Sequence, residues 1–288
     1  PRCRAAMTSV IAAFGLTGFK IVVGFATGSL GILAEAAHSG LDLLAALMTA
    51  FAVKVSGKPA DSEHRYGHGK VENLSALFET LLLLITCFWI IAEAVKRIVS
   101  GKLEVEVTVW SFGRMIVSIV VDISRSRMLY RAAKKYNSQA LEADALHFGT
   151  DIWSSAVVIL GLLCVKLNEL LPAYEFLHYA DAVAAGIVGL IVIQVSIKLG
   201  ARAVQALLDK APAGLEEKII AKVESMPGVL DCHHIRIRVS GPQLFIDFHV
   251  LMDGMQTLRQ AHRMTEEIEN AIQEIVPNAD ITVHPEPN

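Results

Sequence analysis

The sequence predicts an all-α bundle of six transmembrane helices followed by a small cytosolic α+β domain. Three observations predict it. Hydrophobic residues make up 53% of the 288 and charged residues only 19%, below the roughly 25% usual in soluble proteins. Six apolar stretches are each long enough to cross a bilayer core, which takes about 20 helical residues. From residue 207 onward the long apolar runs give way to mixed, alternating sequence, so the membrane part is 1–206 and the cytosolic part 207–288.

The spans fall near 7–26, 30–55, 73–98, 106–124, 144–166 and 180–204, with Thr27, Gly28 and Ser29 as a tight turn between the first two. The second and fifth hold charged residues, and they stay as spans because those charges recur at helical spacing. One set of loops carries Lys54, Lys58, Arg65 and Lys70, then Arg125, Arg127, Arg131, Lys134 and Lys135, and the N-terminus adds Arg2 and Arg4. The alternate loops are poorer in Lys and Arg, so the positive-inside rule places both termini in the cytoplasm. The chain opens on Pro1, which predicts a trimmed N-terminus, and its first apolar run lacks the cleavage site of a signal peptide.

Composition excludes several classes. A net charge of −3 leaves no basic excess, which argues against a nucleic-acid partner. Cys3, Cys87, Cys164 and Cys232 form no CxxC pair, which argues against a disulfide framework or a cysteine zinc knot.

In the cytosolic part, Leu215 to Ser225 has the pattern of an amphipathic helix, closed by Met226, Pro227 and Gly228. Val229 to Val239 and Leu244 to Met252 alternate as half-buried strands do, joined by a hairpin turn at Ser240, Gly241 and Pro242. Thr257 to Ile275 is a second helix, and Asp280 to Val283 a short third strand that ends at His284. The order α-β-β-α-β suffices for a two-layer domain.

Span two reads Glu35, Ala36, Ala37, His38, Ser39, Gly40, Leu41, Asp42. Span five reads Asp144, Ala145, Leu146, His147, Phe148, Gly149, Thr150, Asp151. Each pairs a His with an Asp four positions later, and positions i and i+4 share a helix face. Two such helices can offer imidazoles and carboxylates to one point, a donor set suited to a divalent ion such as zinc. An ionisable residue at the bilayer centre costs about 2.5–3.5 kcal/mol on insertion scales. Four of them in two spans need a shared reason, and a doubly charged cation supplies one. His–Asp pairs bonded only to each other or to a neighbouring helix are the plainer alternative; identical spacing in both spans weighs against it. Glu35 and Asp144, three residues before the histidines, either line a water path, act in proton transfer, or are interfacial.

With these motifs the chain resembles a cation diffusion facilitator, a family of metal–proton antiporters, over essentially its whole length. The resemblance implies a homodimer in the inner or an organelle membrane that exports zinc, cadmium, iron or manganese from the cytosol in exchange for protons. It places His38, Asp42, His147 and Asp151 at the transport site. A second imidazole where the best-studied bacterial branch has Asp lowers the site's charge and favours borderline metals. Zinc is therefore the first expectation; iron, cobalt, nickel and cadmium are the alternatives. The resemblance also implies a peripheral loop site at Asp61, His64 and His68, within Pro59 to Lys70. Read from the residues, that loop binds zinc or is simply solvated. Lys70 and Asp209 match a charged pair that in the family ties the membrane dimer to the cytosolic domain.

His233, His234, His249, His262 and His284 crowd the cytosolic part. The resemblance implies a ferredoxin-like domain that binds zinc at its dimer interface through His233, His249, His262, His284 and Glu286. The family often has Asp where Glu286 stands. His234 stands where the bacterial branch is usually acidic, and is either an extra ligand or surface.

The expected mechanism is alternating access, with protons competing for the ligands at the outer side. The sequence shows no nucleophile–base arrangement and neither HExxH nor GxSxG, so no enzyme is expected. The rival reading is a membrane metal receptor or scaffold that binds ions without passing them.

Overall fold

Leu, Ile, Val and Ala dominate the first two hundred residues, and no proline interrupts any of their helices, where one would cost about 3 kcal/mol. The chain forms α1 (Arg2–Thr27), α2 (Leu30–Ser56), α3 (Lys70–Ser100), α4 (Val109–Tyr136), α5 (Gln139–Leu170) and α6 (Ala180–Leu207). The structure is a computed structural model. It describes residues 2–27, 30–100, 109–170, 180–277 and 279–288, less the side chains of 23–24, 26–27, 30–38, 90, 93–94, 97–98, 100, 109–115, 154, 158, 161–170 and 180–185. Among the described residues α1, α2, α3 and α6 each hold a stretch long and apolar enough to cross a membrane.

The described chain separates into two compact units. One comprises residues 1–55 and 74–203, the other 56–73 and 204–288, so the segment between α2 and α3 folds with the C-terminal part.

In the first unit α4 packs along α5, and α1 against α4. Ala6, Val53, Leu129, Ala133, Ala140, Leu141, Ala145 and Phe148 form one buried cluster; its alanines let helices approach closely. Phe14, Leu44, Phe51, Ile85, Trp89 and Val120 are exposed on the outside, as lipid-facing side chains would be.

Helix α4 departs from expectation. The span was expected to end at 124, with Arg125, Arg127, Arg131, Lys134 and Lys135 in a loop, but the helix runs on to Tyr136. Hydropathy marks a bilayer edge, not a helix end, and Lys and Arg are good helix formers. Only Asn137 and Ser138 separate α4 from α5. Asn137 takes the left-handed conformation (φ 49), and the Ser138 hydroxyl accepts the Leu141 N–H at 3.4 Å, so a C-cap and an N-cap share two residues.

The second unit adds α7 (Leu215–Glu224), β1 (Val229–Ser240), β2 (Gln243–Met252), α8 (Leu258–Ile275) and β3 (Asp280–Pro287), the expected αββαβ order. The sheet runs β1-β2-β3, with β2 antiparallel to β1 and parallel to β3. Both helices cover one face: Ile219 and Val223 of α7 and Ile268 and Ile272 of α8 bury against Ile246, Phe248, Val250 and Met252. Thr257 and Gln260 start α8 with a reciprocal capping box. Strand β3 is longer than expected, reaching past Val283 and His284 to Pro287. Pro285 and Pro287 lack an N–H, but β3 is an edge strand, where proline is tolerated.

The 56–73 segment docks on the hairpin turn. Gly241 (φ 58) lies so close to Gly69 that a Cβ there would meet the Gly69 carbonyl oxygen at 2.6 Å. The Gly241 N–H donates to Asn73 Oδ1 at 3.0 Å. Tyr66 stands edge-on to Phe245 with ring centroids 5.3 Å apart, and the Arg238 guanidinium lies 3.4 Å above the Tyr66 ring. Lys70 Nζ pairs with Asp209 Oδ1 at 2.8 Å and donates to the Leu207 carbonyl at 3.2 Å.

Candidate metal centres

The structure brings Asp42, His147 and Asp151 together, with one ligand atom from each within 4.8 Å of the others. His147 Nε2 lies 3.0 Å from Asp42 Oδ1 and 3.9 Å from Asp151 Oδ2. His147 and Asp151 share a face of α5 through their four-residue spacing, and Asp42 comes from α2. His147 is 6% exposed, and its Nδ1 is buried without a hydrogen-bond partner among the described residues. One imidazole between two carboxylates is a donor set that fits a divalent cation. The side chains of His38 and Glu35 lie outside the described residues.

Asp144, one turn earlier on α5, is fully buried and accepts from the Ser9 hydroxyl at 3.4 Å. Ser9 in turn accepts from Arg125 Nη2 at 3.0 Å. The Arg125 guanidinium sits 3.5 Å over the Phe148 ring and 4.0 Å from Asp122 Oδ1. Sequence reasoning missed this support: it counted Arg125 as a loop charge and singled out neither Ser9 nor Phe148. Position could have found it, since Arg125 stands three residues after Asp122, on the same helical face. Two further buried carboxylates on α3 went unnoticed: Glu72 accepts from the Ser56 hydroxyl at 2.6 Å, and Glu79 accepts from Thr49.

Asp61, His64 and His68 form a second group. Asp61 Oδ1 accepts the backbone N–H of Glu63 at 3.0 Å and of His64 at 2.7 Å. The His64 N–H foremost holds the Asp61 carboxyl below its ordinary range, so it is an anion at neutral pH. His64 Nδ1 and His68 Nε2 each lie 3.5 Å from that carboxylate, and the two rings are 4.4 Å apart. His68 Nδ1 is buried without a partner among the described residues. Two imidazoles and an ionised carboxylate fit zinc.

In the C-terminal sheet, register builds the third group. His233 of β1 pairs directly with His249 of β2, and His249 with His284 of β3. Buried Ile246, Phe248, Val250 and Met252 alternate with His249 on β2, so the imidazole row lies on the face away from the helices. Ring centroids are 5.7 Å apart for His233 and His249 and 4.7 Å for His249 and His284. Glu286 joins them: Oε1 lies 2.7 Å from His249 Nδ1, and Oε2 lies 3.2 Å from His233 Nε2. Its carboxyl is held below the ordinary range, first by the hydrogen bond from His249. Asp231, read at no point as functional, accepts from His233 Nδ1 at 2.7 Å; two residues before His233, it faces the same side of the strand. His262, on α8, is exposed and pairs with Glu266 at 3.6 Å. It joins none of the ligand groups found among the described residues. Burial pushes the Cys232 thiol up to about 11, as befits a protonated core side chain.

The family models and the curated relatives match nearly the whole chain. The family model of the cation efflux transmembrane domain matches residues 6–208, and that of the cation efflux protein cytoplasmic domain matches residues 211–288. The cation-efflux pump FieF of Yersinia enterocolitica is 33% identical over 286 residues, covering 98% of this chain and 92% of its own. FieF of Serratia proteamaculans is 33% identical over 288 residues, with the same two shares. Among solved structures, a MamM C-terminal domain overlaps 26% of this chain and 94% of its own, at 25% identity and a TM-score of 0.25.

Proposed function

This chain belongs to the cation efflux family, the cation diffusion facilitators, and on that premise we propose that it exports a divalent transition-metal ion, zinc first, in exchange for protons. The observation that carries the proposal is the convergence of the half-buried Asp42 and Asp151 and the buried His147 from two helices on one point. His38, one helical turn before Asp42, completes a four-ligand set in this reading. The ion enters from the cytosol, the bundle rocks, and protons displace the ion at the outer face. Ligand atoms must be deprotonated to bind metal, so release and proton uptake are one event. No bond is made or broken in a covalent substrate, and the chain is not an enzyme.

The remaining assignments follow the same reading. All six long helices cross the bacterial inner membrane, with both termini in the cytoplasm. The C-terminal domain, residues 207–288, senses zinc through His233, His249, His284 and Glu286, with His262 contributed across a homodimer. Asp61, His64 and His68 form a peripheral site. Iron, cobalt, nickel and cadmium are the competing cargoes.

Purified protein in proteoliposomes, loaded with a zinc-sensitive dye and given a pH gradient, tests this directly. Gradient-driven zinc uptake that outcompetes iron, manganese and cadmium is expected. Ion binding without uptake would instead identify a metal receptor.

A further inference from the structure

Consecutive residues of a strand point to opposite faces of the sheet. His233 and His234 break that rule. Their rings stand 4.9 Å apart, centroid to centroid, and His234 also reaches the His249 ring at 5.2 Å. The cause is a bulge. Between His233 and Arg236 the pairing to β2 advances from His249 only to Asp247, so β1 carries an extra residue there. His234 occupies it with φ 53, a left-handed conformation uncommon outside glycine and best tolerated by Asn, Asp and His. Bulges re-aim side chains at functional sites, and here the effect is to turn a second imidazole towards the first.

We propose that His234, with His233 and His249, forms a three-imidazole site for a borderline divalent d-block ion such as zinc, distinct in donor set from the His249, His284 and Glu286 group. One ligand nitrogen from each of the three rings lies within 4.8 Å of the other two. An ion holding three nitrogens at 2.0–2.1 Å sets them about 3.3 Å apart, so the rings must draw together by at most about 1.5 Å to hold it. The surrounding carboxylates prepare it. Asp231 accepts from His233 Nδ1 at 2.7 Å and Glu286 from His249 Nδ1 at 2.7 Å. A carboxylate acceptor fixes the proton on Nδ1 and leaves the lone pair on Nε2, the arrangement by which outer carboxylates orient metal-bound histidine; on His233 that Nε2 lies 3.2 Å from Glu286 Oε2, a contact the ion displaces. In this arrangement Glu286 orients a ligand. In the other group it is a ligand. A neutral imidazole has one lone pair, so His249 serves one group at a time. An all-nitrogen set suits zinc, nickel, copper and cobalt better than the hard ions manganese and magnesium.

The inference does not depend on transport. Its test uses the full chain in detergent, stripped with EDTA and titrated with zinc against a chromophoric chelator. Glu286→Gln with His284→Ala disables the carboxylate-containing group while Gln still accepts from His249 Nδ1. In that background His234→Gly, which suits the left-handed backbone, is expected to lose one bound zinc per chain. His234→Asn, which also tolerates that conformation, gives the same loss should the glycine variant fold poorly. Circular dichroism monitors the fold. Equal zinc stoichiometry and affinity with and without the His234 imidazole would overturn the proposal, as would a background that has already lost every ion of the C-terminal domain. Zinc flux in vesicles, measured alongside, reports separately on the transport reading.

Discussion

His147 Nε2 lies 3.0 Å from Asp42 Oδ1 although 105 residues separate them in the chain. No local preference makes that contact; the tertiary fold does. Asp42→Asn keeps the side-chain size and an acceptor for the ring but removes the charge that a divalent ion requires. Losing an outer-shell partner costs about 10–100-fold in metal affinity, and a direct ligand costs no less. Asp42→Asn is expected to abolish zinc uptake by proteoliposomes while helical circular dichroism stays unchanged. Wild-type uptake would remove Asp42 from the transport site.

Asp231 orients His233 without belonging to a ligand group found among the described residues. Asp231→Asn is therefore expected to weaken zinc binding by the C-terminal domain by about 10–100-fold, with the hairpin intact. Competition titration of the full chain reads the effect. An unchanged isotherm would make Asp231 an ordinary surface partner of His233.

What the sequence made legible follows from the range of each interaction. The i, i+4 pairs at His147 and Asp151 are local, and helix geometry alone puts them on one face. The αββαβ order is local too, because alternation and turn residues mark each element. The row of His233, His249 and His284 is not, since it depends on strand register and on a bulge that no single residue announces. Arg125 shows a different limit. Hydropathy reads a cluster of Arg and Lys as a boundary, whereas this arginine is buried by stacking on Phe148 and bonding to Ser9. Pro285 and Pro287 hid the end of β3, because proline argues against a central strand and says little about an edge.

Arg125 and Asp122 are both almost wholly buried and lie 4.0 Å apart. Removing one member of a buried pair strands the other charge and costs about 3–5 kcal/mol. Arg125→Ala is expected to lower the thermal stability of the detergent-solubilised protein by that order. Arg125→Lys restores the charge but not the planar stacking on Phe148, so it rescues only partly. Wild-type melting of the alanine variant would show that the guanidinium carries no structural role.

Glu286 sets a pH dependence. Its folded carboxyl titrates below the ordinary value of 4.5, chiefly through the hydrogen bond from His249. A depressed value means stability that is complete above the unfolded pKa and is lost as pH falls through the folded one. In the chelator-treated protein, acid destabilisation of the C-terminal domain is expected to set in as pH drops below about 4.5. Glu286→Gln should flatten that limb; a profile identical to wild type counts against the pairing. Asp61, also depressed, has the same sign and accounts for residual slope.

Tyr66 stands between the two histidines of the loop group and is held by ring contacts alone among its described interactions. Arg238 covers one face at 3.4 Å, and Phe245 meets it edge-on at 5.3 Å. A cation–π contact at an exposed site contributes about 0.5–1 kcal/mol, and an aromatic pair about 0.5–1.5 kcal/mol. Losing both should open the loop by about tenfold, since 1.4 kcal/mol is one decade. Tyr66→Ala is therefore expected to speed amide exchange across residues 57–69 about tenfold, and to weaken zinc at Asp61, His64 and His68 by a similar factor. The loss of affinity arises because the ion must then order the loop it binds. Tyr66→Phe keeps both ring contacts and should match wild type. Saturating zinc should protect the loop in wild type and less so in the alanine variant. Exchange rates that ignore the ring would mean that the Gly69–Gly241 approach and the Asn73 hydrogen bond hold the loop by themselves.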